Sequence, residues 1–101
     1  MTPREDTIFA LSSAPGRAGV AVVRISGEMV LSALKTLTKR GNIPSKIVVY
    51  SPLYNNNEQL IDRGIVLWFP APRSFTGEAM AELQVHGGRS VIEGVLEALA
   101  D

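Results

Sequence analysis

Two short stretches, Gly19–Ser26 (GVAVVRIS) and Ala79–His86 (AMAELQVH), sort their side chains by a period of two. Successive side chains on a strand point to opposite faces of the sheet. In the first stretch Ala21, Val23 and Ile25 therefore share one face, and Val20, Val22, Arg24 and Ser26 the other. In the second, Ala79, Ala81, Leu83 and Val85 oppose Met80, Glu82, Gln84 and His86. One face of each strand is uniformly apolar and must be buried against something. The other carries an arginine, a glutamate, a glutamine and a histidine that a closed core would not accept unpaired. Such alternation is what half-exposed strands show.

Helical periods follow each of these stretches. After Ser26, which can cap a helix, Val30, Leu31, Leu34 and Leu37 recur at helical spacing within Glu28–Lys39. Glu28 at the start and Lys39 and Arg40 at the end match the helix dipole, and Gly41 is a natural stop. Gly87-Gly88 breaks the second strand and opens a helix with Val91, Ile92, Val95, Leu96 and Leu99 on one side. Thr7–Leu11 reads as a first strand, and Lys46–Tyr50 and Gly64–Phe69 as a hairpin turning at Asn55-Asn56-Asn57, since asparagine tolerates left-handed angles. The expected order is β, β, α, β, β, β, α. A hairpin inside a mixed order predicts an α+β domain, a small mixed sheet with two helices, rather than a doubly wound parallel sheet.

The chain has 101 residues, enough for one domain with one core. Ten basic and ten acidic residues balance, so no global field draws it to nucleic acid or an anionic membrane. With no cysteine and a single histidine, disulfides, thiolate metal sites and multi-histidine sites are excluded. No apolar run approaches the roughly 18 residues of a membrane span, and Met1–Asp6 lacks signal-peptide character. A cytoplasmic location is the expectation.

Five features could carry function, each with a plain structural reading beside it. Pro15–Gly19 is a turn or an anion cradle; it lacks the GxxxxGK[ST] of a nucleotide loop and runs into a strand, not a helix. Arg24, mid-strand on a face with Val20 and Val22, is expected to be partly desolvated and to want an anionic or acceptor partner from a ligand, or else to form an internal salt bridge or snorkel at a sheet edge. Glu82 either decorates a solvated face or takes two N–H donors from a planar heterocycle such as a pterin. His86-Gly87-Gly88 stands at a helix start, where backbone N–H groups suit an anion, although no serine or cysteine nucleophile is visibly paired with the histidine. Arg73–Glu78 suits a ligand-touching loop and an ordinary surface loop equally.

The segments in combination say more than each alone. Asp6-Thr7-Ile8 with Pro15–Val20 resembles the DTI…PGRGGV opening of the MnmE/TrmE family of tRNA-modifying GTPases. Val23–Gly27 resembles its VRISG block. Asp62-Arg63-Gly64 with Phe69–Glu78 resembles D-x-G…FPGPxSFTGED, and Glu82–Gly88 resembles ELQxHGG. These motifs fall in order over nearly the whole chain. Departures are small: Ala18, Ala71 and Val85 stand where glycine is usual, and Ala79 where an acid often follows.

The resemblance implies an N-terminal tetrahydrofolate-binding and homodimerisation domain spanning residues 1–101, similar in fold to the folate-binding part of the glycine-cleavage aminomethyltransferase. It implies a parent that adds a helical domain and a G domain hydrolysing GTP with magnesium and potassium. With an FAD-dependent partner, MnmG (GidA), such proteins modify carbon 5 of the wobble uridine of tRNA. The one-carbon unit comes from 5-formyl- or 5,10-methylene-tetrahydrofolate. The family's folate-binding arginine falls on Arg24 and its glutamate on Glu82. A further basic ligand from an NDK-type segment, the P-loop and the C-terminal cysteine motif do not occur in these residues, so this stretch alone is expected to be non-catalytic. Two other readings stay open: a folate-dependent aminomethyltransferase relative, and a dimerisation domain without folate.

Overall fold

In the computed structural model, residues 7–12, 19–71 and 78–100 are described. Their elements are β1 (Ile8–Leu11), β2 (Val20–Ser26), α1 (Val30–Thr38), β3 (Val49–Tyr54), β4 (Leu60–Phe69), β5 (Met80–His86) and α2 (Arg89–Ala100). The strands form one sheet in the order β1-β2-β5-β4-β3, and every pairing among them is antiparallel. The α+β expectation and the element order both hold.

The inner face is the apolar one. Ala21, Val23 and Ile25 of β2, Ala81, Leu83 and Val85 of β5, Val66 of β4 and Leu53 of β3 are buried in one cluster with helix residues Val30, Leu34, Leu37, Ile92 and Val95. Both helices thus lie on the same side of the sheet. No described element covers the other side.

Several boundaries differ from the sequence reading, each for a local reason. Helix α1 starts at Val30, and Ser26 does not cap it. The Met29 N–H at its start is taken by the Thr7 hydroxyl, 2.8 Å away and 22 residues upstream. The Ser26 hydroxyl instead donates to Glu78 Oε1 at 2.8 Å. Between β2 and α1 the chain turns at Gly27, whose φ of 140° favours glycine. At the other end Lys39, not Gly41, adopts the left-handed conformation, with φ 56°. Its ammonium is held by Glu58 Oε1 at 2.8 Å.

Strand β3 is displaced three to four residues along the chain from the expected Lys46–Tyr50, running on through Pro52. Proline argues against a central strand, but β3 is an edge strand, where a missing N–H costs little. Lys46 turns out of the strand at φ 66°, and the segment is pinned by Lys46 N–H to Trp68 O and by Trp68 Nε1–H to Ile43 O, both 2.8 Å. The hairpin turn lies where the asparagines stand, yet Glu58 takes the left-handed angle. Asn55 organises the turn through its side chain, accepting from the N–H groups of Asn57 and Gln59.

Candidate functional site

The register of β2 against β5 builds the site. Arg24 and Glu82 are direct cross-strand partners, although 58 residues separate them. Both belong to the outward-facing set, so no helix lies over them. Arg24 Nε and Nη2 each approach Glu82 Oε1 at 3.4 Å. That is long for a charge-assisted bond. It also uses a single carboxylate oxygen, leaving Oε2 without a partner among the described residues. The arginine side chain is 60% exposed and the glutamate 24%, so the carboxylate is partly desolvated while the guanidinium remains accessible.

The register continues this face on both sides. Leu67 of β4 stands opposite Glu82, and Phe69 opposite Met80. Next along β5, Gln84 lies between Val22 of β2 and Ile65 of β4. A half-buried apolar floor therefore flanks the charged pair. This combination suits a planar ligand that has apolar faces and polar edges.

At the far end of β5 stands His86, paired with a residue the sequence reading did not single out as a site. Asp62 of β4 accepts the His86 backbone N–H at 2.9 Å, and its two oxygens lie 2.9 Å from His86 Nδ1. A carboxylate can only accept here, so the ring hydrogen belongs on Nδ1 and Nε2 faces outward. Burial pushes the Asp62 carboxyl upward, but hydrogen bonds from the His86 backbone and ring and from the Arg63 N–H outweigh it, holding it below the ordinary aspartate range. The geometry depends on Gly64. A Cβ there would lie 2.5 Å from the Gln84 carbonyl oxygen, so any other residue would force β4 and β5 apart where Asp62 reaches across. The only clue in the sequence was the D-x-G spacing; nothing in it joined Asp62 to a histidine 24 residues away.

Of the five sequence candidates, the sheet brings Arg24 and Glu82 together and sets His86 on the same face at the other end of β5. Gly88 opens α2, its carbonyl accepting the Ile92 N–H at 3.1 Å. Glu78 is described and bonded to Ser26; Pro15–Ala18 and Arg73–Gly77 lie outside the described residues. A separate cleft of about 300 Å³ opens on the helix side, among Phe9, Met29, Ala33, Tyr54 and Leu99. Apart from the Tyr54 phenol it is lined by no titratable group, so the polar outer face is the stronger candidate. Among the described residues no helix is long and apolar enough to cross a membrane.

The model of one protein family, GTP-binding protein TrmE N-terminus, matches residues 7–101. The tRNA modification GTPase MnmE of Wolbachia pipientis subsp. Culex pipiens (strain wPip) is 49% identical over 100 residues, which are 99% of this chain and 23% of that protein. The mitochondrial 5-taurinomethyluridine-[tRNA] synthase subunit GTPB3 of Danio rerio is 50% identical over 97 residues, 96% of this chain and 19% of that protein. The mitochondrial tRNA modification GTPase gtpbp3 of Dictyostelium discoideum is 43% identical over 103 residues, covering 94% and 20%. The chain thus spans about a quarter or less of the length of these curated relatives.

Proposed function

Because this chain belongs to the TrmE N-terminal family, we propose that it is the folate-binding and homodimerisation domain of a GTPase that modifies the wobble uridine of tRNA. Arg24 and Glu82 would hold the pterin ring of 5-formyl- or 5,10-methylene-tetrahydrofolate. The observation that carries this reading is their direct cross-strand pairing on the helix-free face, with one glutamate oxygen left open. The residues fit the group. A partly desolvated carboxylate accepts the exocyclic amine and ring N–H that a pterin presents side by side, and Leu67, Val22 and Ile65 offer apolar surface beside it.

The folate would supply the one-carbon unit. The work of this chain is to bind and orient it: Glu82 fixes the polar edge of the ring, and Arg24, 3.4 Å from Glu82 Oε1, keeps the carboxylate correctly placed. GTP hydrolysis, with magnesium and potassium, and the chemistry at uridine carbon 5 belong to other parts of the assembly, the latter shared with an FAD-dependent partner of the MnmG (GidA) type in the cytoplasm. Dimerisation is supported by apolar exposure at both edges of the sheet: Ile8 on edge strand β1, and Ile47 and Val48 just before edge strand β3. Such edges are where another chain can add.

Calorimetric titration with 5-formyl-tetrahydrofolate tests the reading. Saturable binding is expected, weakened about tenfold or more by Glu82→Ala and by Arg24→Ala, as for loss of a charged hydrogen bond. If the folded protein shows no heat of binding, or if both variants bind as the parent does, the folate reading fails.

A further inference from the structure

The Arg24–Glu82 pair occupies only one end of the helix-free face. At the other end lies a cleft of about 160 Å³ among Val20, Tyr50, Arg63, Ile65, Gln84 and His86. Its chemistry differs from that of the first end. It has no carboxylate in its lining, and it gathers a guanidinium, an imidazole, a phenol and an amide. Arg63 is exposed and forms no ion pair among the described residues. His86 is 73% exposed, and its ring is held through Nδ1 by Asp62, so Nε2 is the atom presented to solvent. Position 63 is the unspecified middle residue of the D-x-G motif, so the family resemblance assigns it no role.

The two ends lie on one track. Glu82, Gln84 and His86 are successive outward residues of β5, so Glu82 and His86 are about 13 Å apart at a rise of roughly 3.3 Å per residue. Between them the face is floored by Val22 and Ile65 on either side of Gln84, with Tyr50 paired to Ile65 from β3. A carboxylate at one end, an apolar strip in the middle and a cationic cleft at the other end define an elongated ligand. It would have a donor-rich head, an aromatic centre and an anionic tail.

We propose that this cleft seats the glutamate carboxylates of the folate, with Arg63 as the principal tail contact and His86 beside it. The assignment rests on the folate reading above and extends it from the pterin to the whole ligand. The span from Glu82 to His86 is comparable to that between the amino edge of a pterin and the glutamate of an extended folate. A guanidinium is the side chain best matched to a carboxylate, because it can give two parallel N–H donors. His86 lies beside it, its ring held through Nδ1 by Asp62 so that Nε2 is turned toward the cleft mouth as a further polar contact.

Calorimetry on the full chain with two ligands tests the proposal. One is 5-formyl-tetrahydrofolate. The other is 5-formyl-tetrahydropteroate, which keeps both ring systems and lacks the glutamate. The parent protein is expected to bind the folate about tenfold more tightly than the pteroate. Arg63→Ala should remove most of that preference while leaving pteroate affinity unchanged, and Arg63→Lys should restore part of it. Circular dichroism confirms that each variant is folded. Equal affinity of the parent for the two ligands overturns the tail site and leaves the pterin site standing, as does a preference that survives Arg63→Ala. Binding of neither ligand overturns the folate reading itself, and the tail site with it.

Discussion

The two faces of the sheet are made from alternate residues of the same strands, and they live in different environments. On the inner face Val23, Leu83 and Val66 are fully buried beneath two helices. One residue along the chain, Arg24, Glu82 and Gln84 look out from a surface that no described element covers. The inner face is held by burial of apolar area, worth roughly 1.5–3 kcal/mol for each fully buried aliphatic side chain. The outer face is held by geometry, through a long ion pair, a carboxylate reaching across a strand end and a half-buried apolar strip. The comparison teaches that this domain buries its apolar core on one side of the sheet and leaves its charged and polar pairs accessible on the other. On the folate reading proposed above, changes at Arg24 and Glu82 should cost little in folding and much in binding.

The sharpest way to break the comparison is Leu83→Ala. Leu83 is 0% exposed at the centre of the inner face, and removing its branched end should destabilise the domain by about 3 kcal/mol, read as a fall in the urea midpoint. A loss under about 1 kcal/mol would mean that the inner face is not the load-carrying core described here.

Asp62→Asn probes the junction of the two faces. It leaves the strands in place but weakens the acceptor for the His86 N–H and ring, and should cost about 2 kcal/mol near neutral pH. The pH dependence has a definite sign. Because the folded protein holds Asp62 below its ordinary value, its contribution is fully present above the unfolded value of about 3.9. It is lost as pH falls below that value through the folded one. Denaturation of parent and variant at neutral pH and again near pH 3 should show the gap between them closing on the acid side; a constant gap would separate the stability effect from the ionisation of Asp62.

The smallest effect belongs to the outer pair. A double-mutant cycle over Arg24→Ala and Glu82→Ala should give a coupling below about 1 kcal/mol for folding, since an ion pair that exposed is weakened by solvent. A coupling of several kcal/mol would reveal a structural pair and shift the argument away from ligand binding.

Much of this plan was readable in the sequence, because period and composition are local properties. The alternation of Gly19–Ser26 and Ala79–His86 already told inner from outer residues. It set Arg24 and Glu82 apart from the apolar sets of their strands, and the helical spacing of Val30, Leu34 and Leu37 marked a further apolar stripe; that Arg24 is largely exposed, not partly desolvated, follows from the uncovered side of the sheet. Boundaries were less legible where a distant residue decides them. Thr7 tends the start of α1 from upstream, and Pro52 fits in β3 only because that strand lies at an edge. The Asp62–His86 pair was invisible, since it depends on Gly64 letting two strands approach.

By itself, then, the sequence determined which side chains would be buried, which would face out and in what order the elements would follow, because nearest-neighbour sterics and hydrophobic period set those. Only the tertiary structure decided that β5 lies between β2 and β4. That placement sets Arg24 opposite Glu82 and closes Asp62 onto His86. Strand order and register are settled by the best burial of the whole inner face at once, a sum over contacts far apart in the chain that no local pattern contains.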